Sequence, residues 1–144
     1  METTKMKVMT ADQDLIRELK RYDFISRDES MEIIGSYLDG EELFRAIVAK
    51  QPDLVVMDAL LKSTDGIELM RRMKEEHPEI KTKYIVLTTI GTESVIETAF
   101  LMGASYYMLK PFDNQILKRR MKQIAGKQQA QGANRVPELG EDTL

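Results

Sequence analysis

Five short apolar segments alternate with five longer amphipathic segments along the chain, and this alternation constrains the fold more than any other feature. The clearest apolar segment, 54–58, reads Leu-Val-Val-Met-Asp and follows the turn residues Pro52 and Asp53. A strand that is apolar on both faces belongs in the middle of a parallel sheet, covered by helices on each side. The predicted strands are 7–11, 31–35, 54–58, 84–88 and 106–109.

The longer segments carry apolar residues at helical spacing, which predicts amphipathic helices between the strands. Strands that alternate with helices form βαβ units, and right-handed crossovers place the helices on both faces of one parallel sheet. We therefore expect an α/β fold of the (βα)5 type, with a doubly wound, five-stranded parallel sheet. The predicted helices are 14–22, 41–50, 67–76, 93–102 and 114–125.

The length of 144 residues suits a single domain, which we place at residues 1–126. From residue 127 to 144 the composition becomes polar, with Gly, Gln and one Pro and no periodicity. Such a segment cannot bury enough apolar surface to fold alone, so we predict a flexible tail or interdomain linker.

Composition excludes several kinds of chemistry. The chain has no Cys and one His, His77, so thiolate nucleophiles and His-pair metal sites are excluded, and a site would use oxygen ligands or lysine. A formal charge of −3 disfavours nucleic-acid binding by this segment alone. No apolar run approaches a membrane span and no signal peptide is recognisable, so we expect a cytoplasmic protein without membrane contact.

Polar residues end four of the predicted strands: Asp12, Asp58, Thr88 and Lys110. The carboxyl ends of parallel strands meet at one sheet edge, where functional groups of open α/β sheets gather. Two carboxylates, a lysine and a hydroxyl suit a divalent cation such as Mg²⁺ and a phosphoryl group carried on an Asp. The simpler interpretations are helix caps for the two Asp residues, a backbone-bonded hydroxyl for Thr88 and a solvated lysine for Lys110.

These motifs resemble the response-regulator receiver domain over residues 5 to about 126. Asp58 and Thr88 are 30 residues apart, and Thr88 and Lys110 are 22 apart, which is the usual spacing of that family. The resemblance implies a flavodoxin-like sheet of order 2-1-3-4-5, as in the chemotaxis receiver. Within the family, the string GASYYMLKPFD is most similar to the receivers of sporulation master regulators from endospore-forming Firmicutes.

The resemblance assigns the phosphorylation chemistry to three positions. Asp58 matches the phosphoacceptor, and Asp12 matches the acidic pair that holds Mg²⁺. Leu60 matches the residue whose backbone carbonyl is a further metal ligand. Asp58, Asp12 and Leu60 therefore form the expected metal site.

The resemblance also assigns a switch. Thr88 matches the hydroxyl that bonds the phosphoryl group, and Lys110 matches the lysine that pairs with it. Tyr107 matches the aromatic residue that moves inward on activation, and Thr89 is a small residue beside the site. The Lys110–Pro111 peptide is typically cis in this family.

Two positions depart from the family pattern. The adjacent acidic pair is reduced to one residue in Ala11-Asp12-Gln13-Asp14. Depending on the register, either Ala11 or Gln13 stands where the second acid is expected, so we expect weaker Mg²⁺ binding. Asp14 would compensate only if the loop bends back toward the site. Lys62 replaces the usual Pro four residues after the phosphoacceptor, and it could substitute for cation charge or compete with it.

We therefore expect a signalling receiver that takes a phosphoryl group from a histidine kinase or a histidine phosphotransferase. It would act as a phosphoacceptor rather than an enzyme, in control of transcription or sporulation, through a changed partner or homodimer surface. One alternative is a degenerate receiver that binds partners without phosphorylation. A phosphatase-like enzyme is disfavoured because Leu60 stands where such an enzyme needs a second Asp.

Overall fold

The computed structural model describes residues 5–130, with side chains to residue 124. Five strands and five helices alternate, as the apolar pattern predicts. The strands are β1 (Met6–Ala11), β2 (Met31–Ser36), β3 (Leu54–Asp58), β4 (Lys83–Thr88) and β5 (Ala104–Leu109). The helices are α1 (Gln13–Tyr22), α2 (Gly40–Lys50), α3 (Gly66–Glu76), α4 (Glu93–Leu101) and α5 (Asn114–Ala130).

The strands form one parallel sheet in the order β2-β1-β3-β4-β5, which confirms the expected doubly wound fold. The order reverses beside β1 and β3, so a crevice opens beyond the carboxyl ends of these two strands. β3 is the central strand, and its first four residues are fully buried, as its continuous apolar sequence requires.

Two apolar clusters cover the two faces of the sheet. One cluster packs α2, α3 and α4 against the sheet through residues such as Leu43, Leu69 and Ala99. The other packs α1 and α5 on the opposite face through Leu15 and Leu117. Because both faces are closed, polar chemistry is confined to the sheet's edges.

Of the helices that begin where the strands end, α1, α2 and α3 are each capped by an Asp, as α5 is by Asp113. The carboxylates of Asp12, Asp39 and Asp65 accept hydrogen bonds from the backbone N–H three residues later. Such caps satisfy N–H groups that have no partner within the helix. They fix the start of α1, α2 and α3 beside the sheet edge.

The helix bounds differ from the prediction by one residue at the starts of α1, α2 and α3 and at the end of α4, and by more at the end of α5. α5 continues to Ala130, five residues beyond the predicted end at 125, because Lys127 and the two residues after it favour helix and Gly126 opposes it only weakly. Thr92 occupies the N-cap position of α4 but makes no side-chain cap bond. Residues 131–144, most of the predicted tail, lie outside the described part of the chain. Within residues 5–130, no helix has the length and apolar character needed to cross a membrane.

The segment 62–64, which follows β3, is fastened to the segment 39–41 at the start of α2. The backbone N–H of Gly40 donates to the carbonyl of Lys62 over 2.8 Å. The approach is so close that a Cβ on Gly40 would lie 1.8 Å from the carbonyl oxygen of Thr64. Side-chain hydrogen bonds across this contact join Ser63 to Asp39 and Thr64 to Glu41.

We predict that Gly40→Ala destabilises the domain, because the added methyl group would collide with backbone that cannot move freely. The free energy of unfolding should fall by about 2 kcal/mol, in the range of overpacked sites. Denaturant unfolding measures this, with Gly91→Ala as the control, since a Cβ there meets only side-chain atoms of Leu109 at 3.3 Å. Equal stabilities for the two variants would contradict the backbone contact.

Candidate functional site

The sheet register brings the four predicted strand-end residues to one edge. Ala11 pairs with Met57, so Asp12 and Asp58 follow neighbouring strands at the same level. Thr88 pairs with Leu109, so Lys110 leaves β5 directly beside the end of β4. The backbone N–H of Lys110 then donates to the Thr88 carbonyl over 2.8 Å.

The Lys110 ammonium contacts three carboxylates at this edge. Its Nζ lies 2.7 Å from Asp12 Oδ2, 2.7 Å from Asp58 Oδ2 and 3.0 Å from Asp14 Oδ2. The Lys110 side chain is 11% exposed, so these contacts are shielded from solvent on the lysine side. The structure therefore brings Asp12, Asp58 and Lys110 together as predicted, and it adds Asp14.

The pKa values in this cluster follow its charges. Burial alone lowers the pKa of Lys110, but its close contacts with the carboxylates of Asp12, Asp58 and Asp14 outweigh burial and raise that pKa above its usual value. The bond from Lys110 holds the pKa of Asp14 below its usual range. Lys110 is therefore an ammonium ion at any pH near neutrality. Three carboxylates surround one ammonium, so the cluster keeps a net negative charge.

Asp12 caps α1 and also belongs to the ion cluster. Its Oδ1 accepts from the Leu15 N–H over 2.9 Å, which caps α1. Its Oδ2 is fully buried and touches Lys110 Nζ, yet it makes no hydrogen bond of acceptable angle. The contact is thus an ion pair that leaves a buried oxygen without a well-directed donor.

Asp58 is the more accessible of the two strand-end carboxylates, Asp12 and Asp58. Its side chain is 21% exposed, whereas that of Asp12 is fully buried. Its Oδ1 accepts from the Leu60 N–H over 2.9 Å, and this bond orients the carboxylate at the mouth of the crevice. Leu60 is 61% exposed, so it stands on the open side of the site.

Thr88 and Tyr107 both bond to the backbone of Ile90, at a different point from the ion cluster. The buried Thr88 Oγ1 accepts from the Ile90 N–H over 3.2 Å. The Tyr107 hydroxyl donates to the Ile90 carbonyl over 2.5 Å. Burial raises the pKa of Tyr107, and the charge of Asp58 adds to the effect. Thr88 thus lies beside the ion cluster, while its hydroxyl is committed to the loop after β4. Ile90 acts only through its backbone, so no side-chain motif could have identified it.

The other predicted accessory positions are placed as follows. Thr89 is exposed and has no side-chain bond within residues 5–124. The Lys110–Pro111 peptide is cis, as expected. Lys62 makes no ion pair with any described residue, so Lys110 is the lysine bound to Asp58. His77 ends α3 at the opposite edge of the sheet, half-buried, with its ring 5.9 Å from that of Phe44.

The basic residues of α5 are partly engaged within the domain. Lys122 and Lys118 lie 3.1 and 3.7 Å from Asp28, in the loop before β2. The bonds of Asp28 with Ser30, and then with Lys122, lower the pKa of its carboxyl strongly. These lysines therefore hold α5 against the rest of the fold instead of forming a purely solvated face.

The donor set fits a hard cation. Carboxylate oxygens are the ligands that Mg²⁺ prefers, and it commonly takes only one or two of them and keeps several waters. The buried Asp12 Oδ2, which lacks a directed donor, suits such a ligand. Among the described residues, no three acidic, His or Cys side chains surround a common point at which a metal would bind. The Lys110 ammonium stands at the centre of the cluster, so a cation would bind with two carboxylates and other oxygens.

Comparison with known proteins identifies the family. The profile of the response regulator receiver domain matches residues 8–122. The receiver domain of AraT, a response regulator from Geobacillus stearothermophilus, superposes with a TM-score of 0.75 at 27% identity, covering 90% of this chain and 100% of that one. A chain assigned as a response regulator from Chloroflexus aurantiacus gives 0.71 at 30% identity, covering 85% and 99%. The Borrelia burgdorferi CheX–CheY complex with beryllium fluoride and magnesium gives 0.70 at 23% identity, covering 83% and 88%.

We predict that Lys110→Met destabilises the domain near neutral pH, because three carboxylates lose their shared cation. The expected loss is about 3 kcal/mol, as for a broken buried ion pair. A carboxyl with a lowered pKa contributes stability above its unfolded pKa, and this contribution is lost as the pH falls. The difference in the free energy of unfolding between variant and wild type should therefore narrow below about pH 4.

Urea unfolding at a series of pH values measures this gap. Lys62→Met is the matched control, because it removes a lysine from the same edge that has no ion pair within the described residues. A gap that is independent of pH, or equal for the two variants, would contradict the charge cluster.

Proposed function

This chain belongs to the response regulator receiver domain family, and on that premise we propose that it accepts a phosphoryl group on Asp58. One observation carries the proposal: Asp58 ends the central strand, remains partly exposed, and has one oxygen 2.7 Å from a desolvated lysine. A carboxylate so placed can act as a nucleophile toward phosphorus, while the ammonium stabilises the charge that develops on the phosphoryl oxygens.

The phosphoryl donor we propose is a phosphohistidine on a histidine kinase or a histidine phosphotransferase. A carboxylate oxygen of Asp58 forms a bond to phosphorus as the bond between phosphorus and the donor nitrogen breaks, and the electron pair stays on the imidazole. The single histidine, His77, lies at the far edge of the sheet, which supports a donor on another protein. The domain would act as a phosphoacceptor rather than an enzyme.

Asp12, Asp58 and the Leu60 carbonyl are the groups that would hold Mg²⁺. When bound, Mg²⁺ would offset the negative charge shared by the phosphoryl oxygens and the carboxylates. The chain's own contribution is to keep these oxygens in place: α1 begins at Asp12, and the Leu60 N–H fixes Asp58. The contact between segments 39–41 and 62–64 steadies the rest of that loop.

The switch we propose runs through Ile90. A phosphoryl group on Asp58 offers the Thr88 hydroxyl a charged acceptor, and a hydroxyl bond to such a group is stronger than a neutral one. If Thr88 turns toward it, the Ile90 N–H loses its acceptor, and the backbone of Ile90, whose carbonyl Tyr107 holds, is free to shift. Phosphorylation would thus bias an equilibrium between two arrangements of this loop.

The output would be a changed surface for a protein partner or a second copy of the chain. Control of transcription, and of sporulation in particular, is the role suggested by the similarity of GASYYMLKPFD to receivers of sporulation regulators. We place this function in the cytoplasm, where phosphorelay donors are available.

Incubation with acetyl phosphate and Mg²⁺ tests phosphorylation, with intact mass as the readout. The wild type should gain one phosphoryl group, and Asp58→Asn should gain none. Removal of Mg²⁺ with a chelator should abolish the gain. An unmodified wild type would refute the proposal and favour a receiver that binds partners without phosphorylation.

Thr88→Ala should separate phosphorylation from switching. The variant keeps Asp58 and Lys110, so it should still gain the phosphoryl group, but it lacks the hydroxyl that couples it to Ile90. Amide NMR shifts of Ile90 and Tyr107 on phosphorylation should be largely lost in Thr88→Ala and kept in Thr89→Ala, whose side chain is exposed. Shifts that persist in Thr88→Ala would contradict the coupling.

A further inference from the structure

The first turn of α1 brings to the site a carboxylate that the family pattern does not require. Asp14 Oδ2 lies 3.0 Å from Lys110 Nζ and bonds to it across 96 residues of sequence. The adjacent Gln13 is exposed at the start of the same helix and carries no charge. We propose that Asp14 supplies, toward a divalent cation at this edge, the negative charge that receivers with an adjacent acidic pair carry on the second acid.

The charge of the cluster supports this inference, which rests on the proposed function. With Asp14, the three carboxylates and Lys110 carry a net formal charge of −2, of which the exposed Arg17, bonded to Asp14 over 3.1 Å, offsets a part. Without Asp14, the net formal charge of the carboxylates and Lys110 is −1, and the electrostatic attraction for a divalent cation is weaker. Gln13→Asp combined with Asp14→Asn would keep the net formal charge at −2 and move the charge by one residue.

An independent observation points to a ligand at the same place. Asp12 Oδ2 is fully buried and faces the cluster, yet it makes no hydrogen bond of acceptable angle. Lys110 supplies this oxygen with charge but no directed hydrogen bond, so the oxygen keeps a lone pair available to a metal ligand sphere. Asp12 and Asp14 contact the same ammonium, so a cation drawn to the first carboxylate also experiences the charge of the second.

The placement of Asp14 suits a ligand that acts through water. Its side chain is 47% exposed, so a hydrated cation has room beside it. Its Oδ1 accepts from Arg17 over 3.1 Å, which directs Oδ2 toward the site. Arg17 itself is 58% exposed, so solvent screens its charge. Mg²⁺ keeps several of its waters in protein sites, and carboxylates bind those waters as well as the ion.

Of the two positions beside Asp12, Gln13 is the one at which this chain can take an acidic residue without burying it among apolar side chains. Ala11 is fully buried in β1 and pairs with Met57 in the sheet, so a carboxylate there would be buried in the core. Gln13 is exposed at the first position of α1, where an acidic side chain also favours the helix dipole. Gln13 is therefore the position at which a compensating acid can be tested.

Calorimetric titration of the unphosphorylated protein with Mg²⁺, and with Mn²⁺ as a second probe, tests this inference. Asp14→Asn should raise the dissociation constant about tenfold, the lower range for groups that act around a metal site. Glu18→Gln is the control: it removes the same charge from the next turn of α1, where Glu18 accepts from Asn114 over 2.9 Å. That variant should change the constant by less than about twofold, since solvent screens distant charges.

The double variant Gln13→Asp with Asp14→Asn is the decisive arm. If Asp14 replaces the missing acid, the double variant should recover most of the affinity lost in Asp14→Asn. No recovery, or equal effects of Asp14→Asn and Glu18→Gln, would overturn the inference, as would a wild type that binds neither cation. Thermal unfolding without metal checks that each variant is folded. Phosphorylation of Asp58 is read separately by mass, so failure of this inference is distinct from failure of the proposed function.

Discussion

The contact of the Lys110 ammonium with three carboxylates is the interaction on which the site depends. Lysine and carboxylates come from β5, β3, β1 and α1, so a single ammonium joins four elements at the carboxyl edge of the sheet. Like charges so close together would repel one another without it. The parallel sheet creates this concentration of charge because it ends neighbouring strands at one level. The register of the parallel strands therefore determines both the fold at this edge and the position of its charged groups.

The site has two halves with different bonding. One is the ion cluster, and the other is the backbone of Ile90, whose N–H and carbonyl bond to the hydroxyls of Thr88 and Tyr107. They are joined by the backbone bond from Lys110 to Thr88, at 2.8 Å. A change of charge at Asp58 can thus reach the loop after β4 through adjacent groups. By contrast, segment 62–64 after β3 is bonded to segment 39–41, and this contact holds the loop beside Asp58 in place.

The sequence predicts most of this architecture, because burial on both sides leaves a continuous apolar strand at 54–58 and parallel strands bring their polar ends together. It does not predict the end of α5, because Gly126 reads as a helix stop although its cost is small beside that of a continuing helical sequence. The sequence does not decide whether the Asp14 carboxylate reaches the site, because the direction of a side chain in a first helical turn depends on partners distant in sequence. The sequence does not indicate the role of Ile90, because a residue that acts through its backbone leaves no sequence motif.

A crystal structure of the protein with Mg²⁺ and beryllium fluoride, a phosphoryl analogue, tests the central claim most directly. We expect the fluoride group to sit on Asp58 and to contact Lys110 Nζ and the Thr88 hydroxyl. The Ile90 N–H should then have lost its bond to Thr88. A structure in which Asp58 carries the fluoride while Thr88 still bonds Ile90 would contradict the coupling. A structure in which Lys110 keeps all three carboxylates and Asp58 stays unmodified would contradict the phosphoacceptor itself.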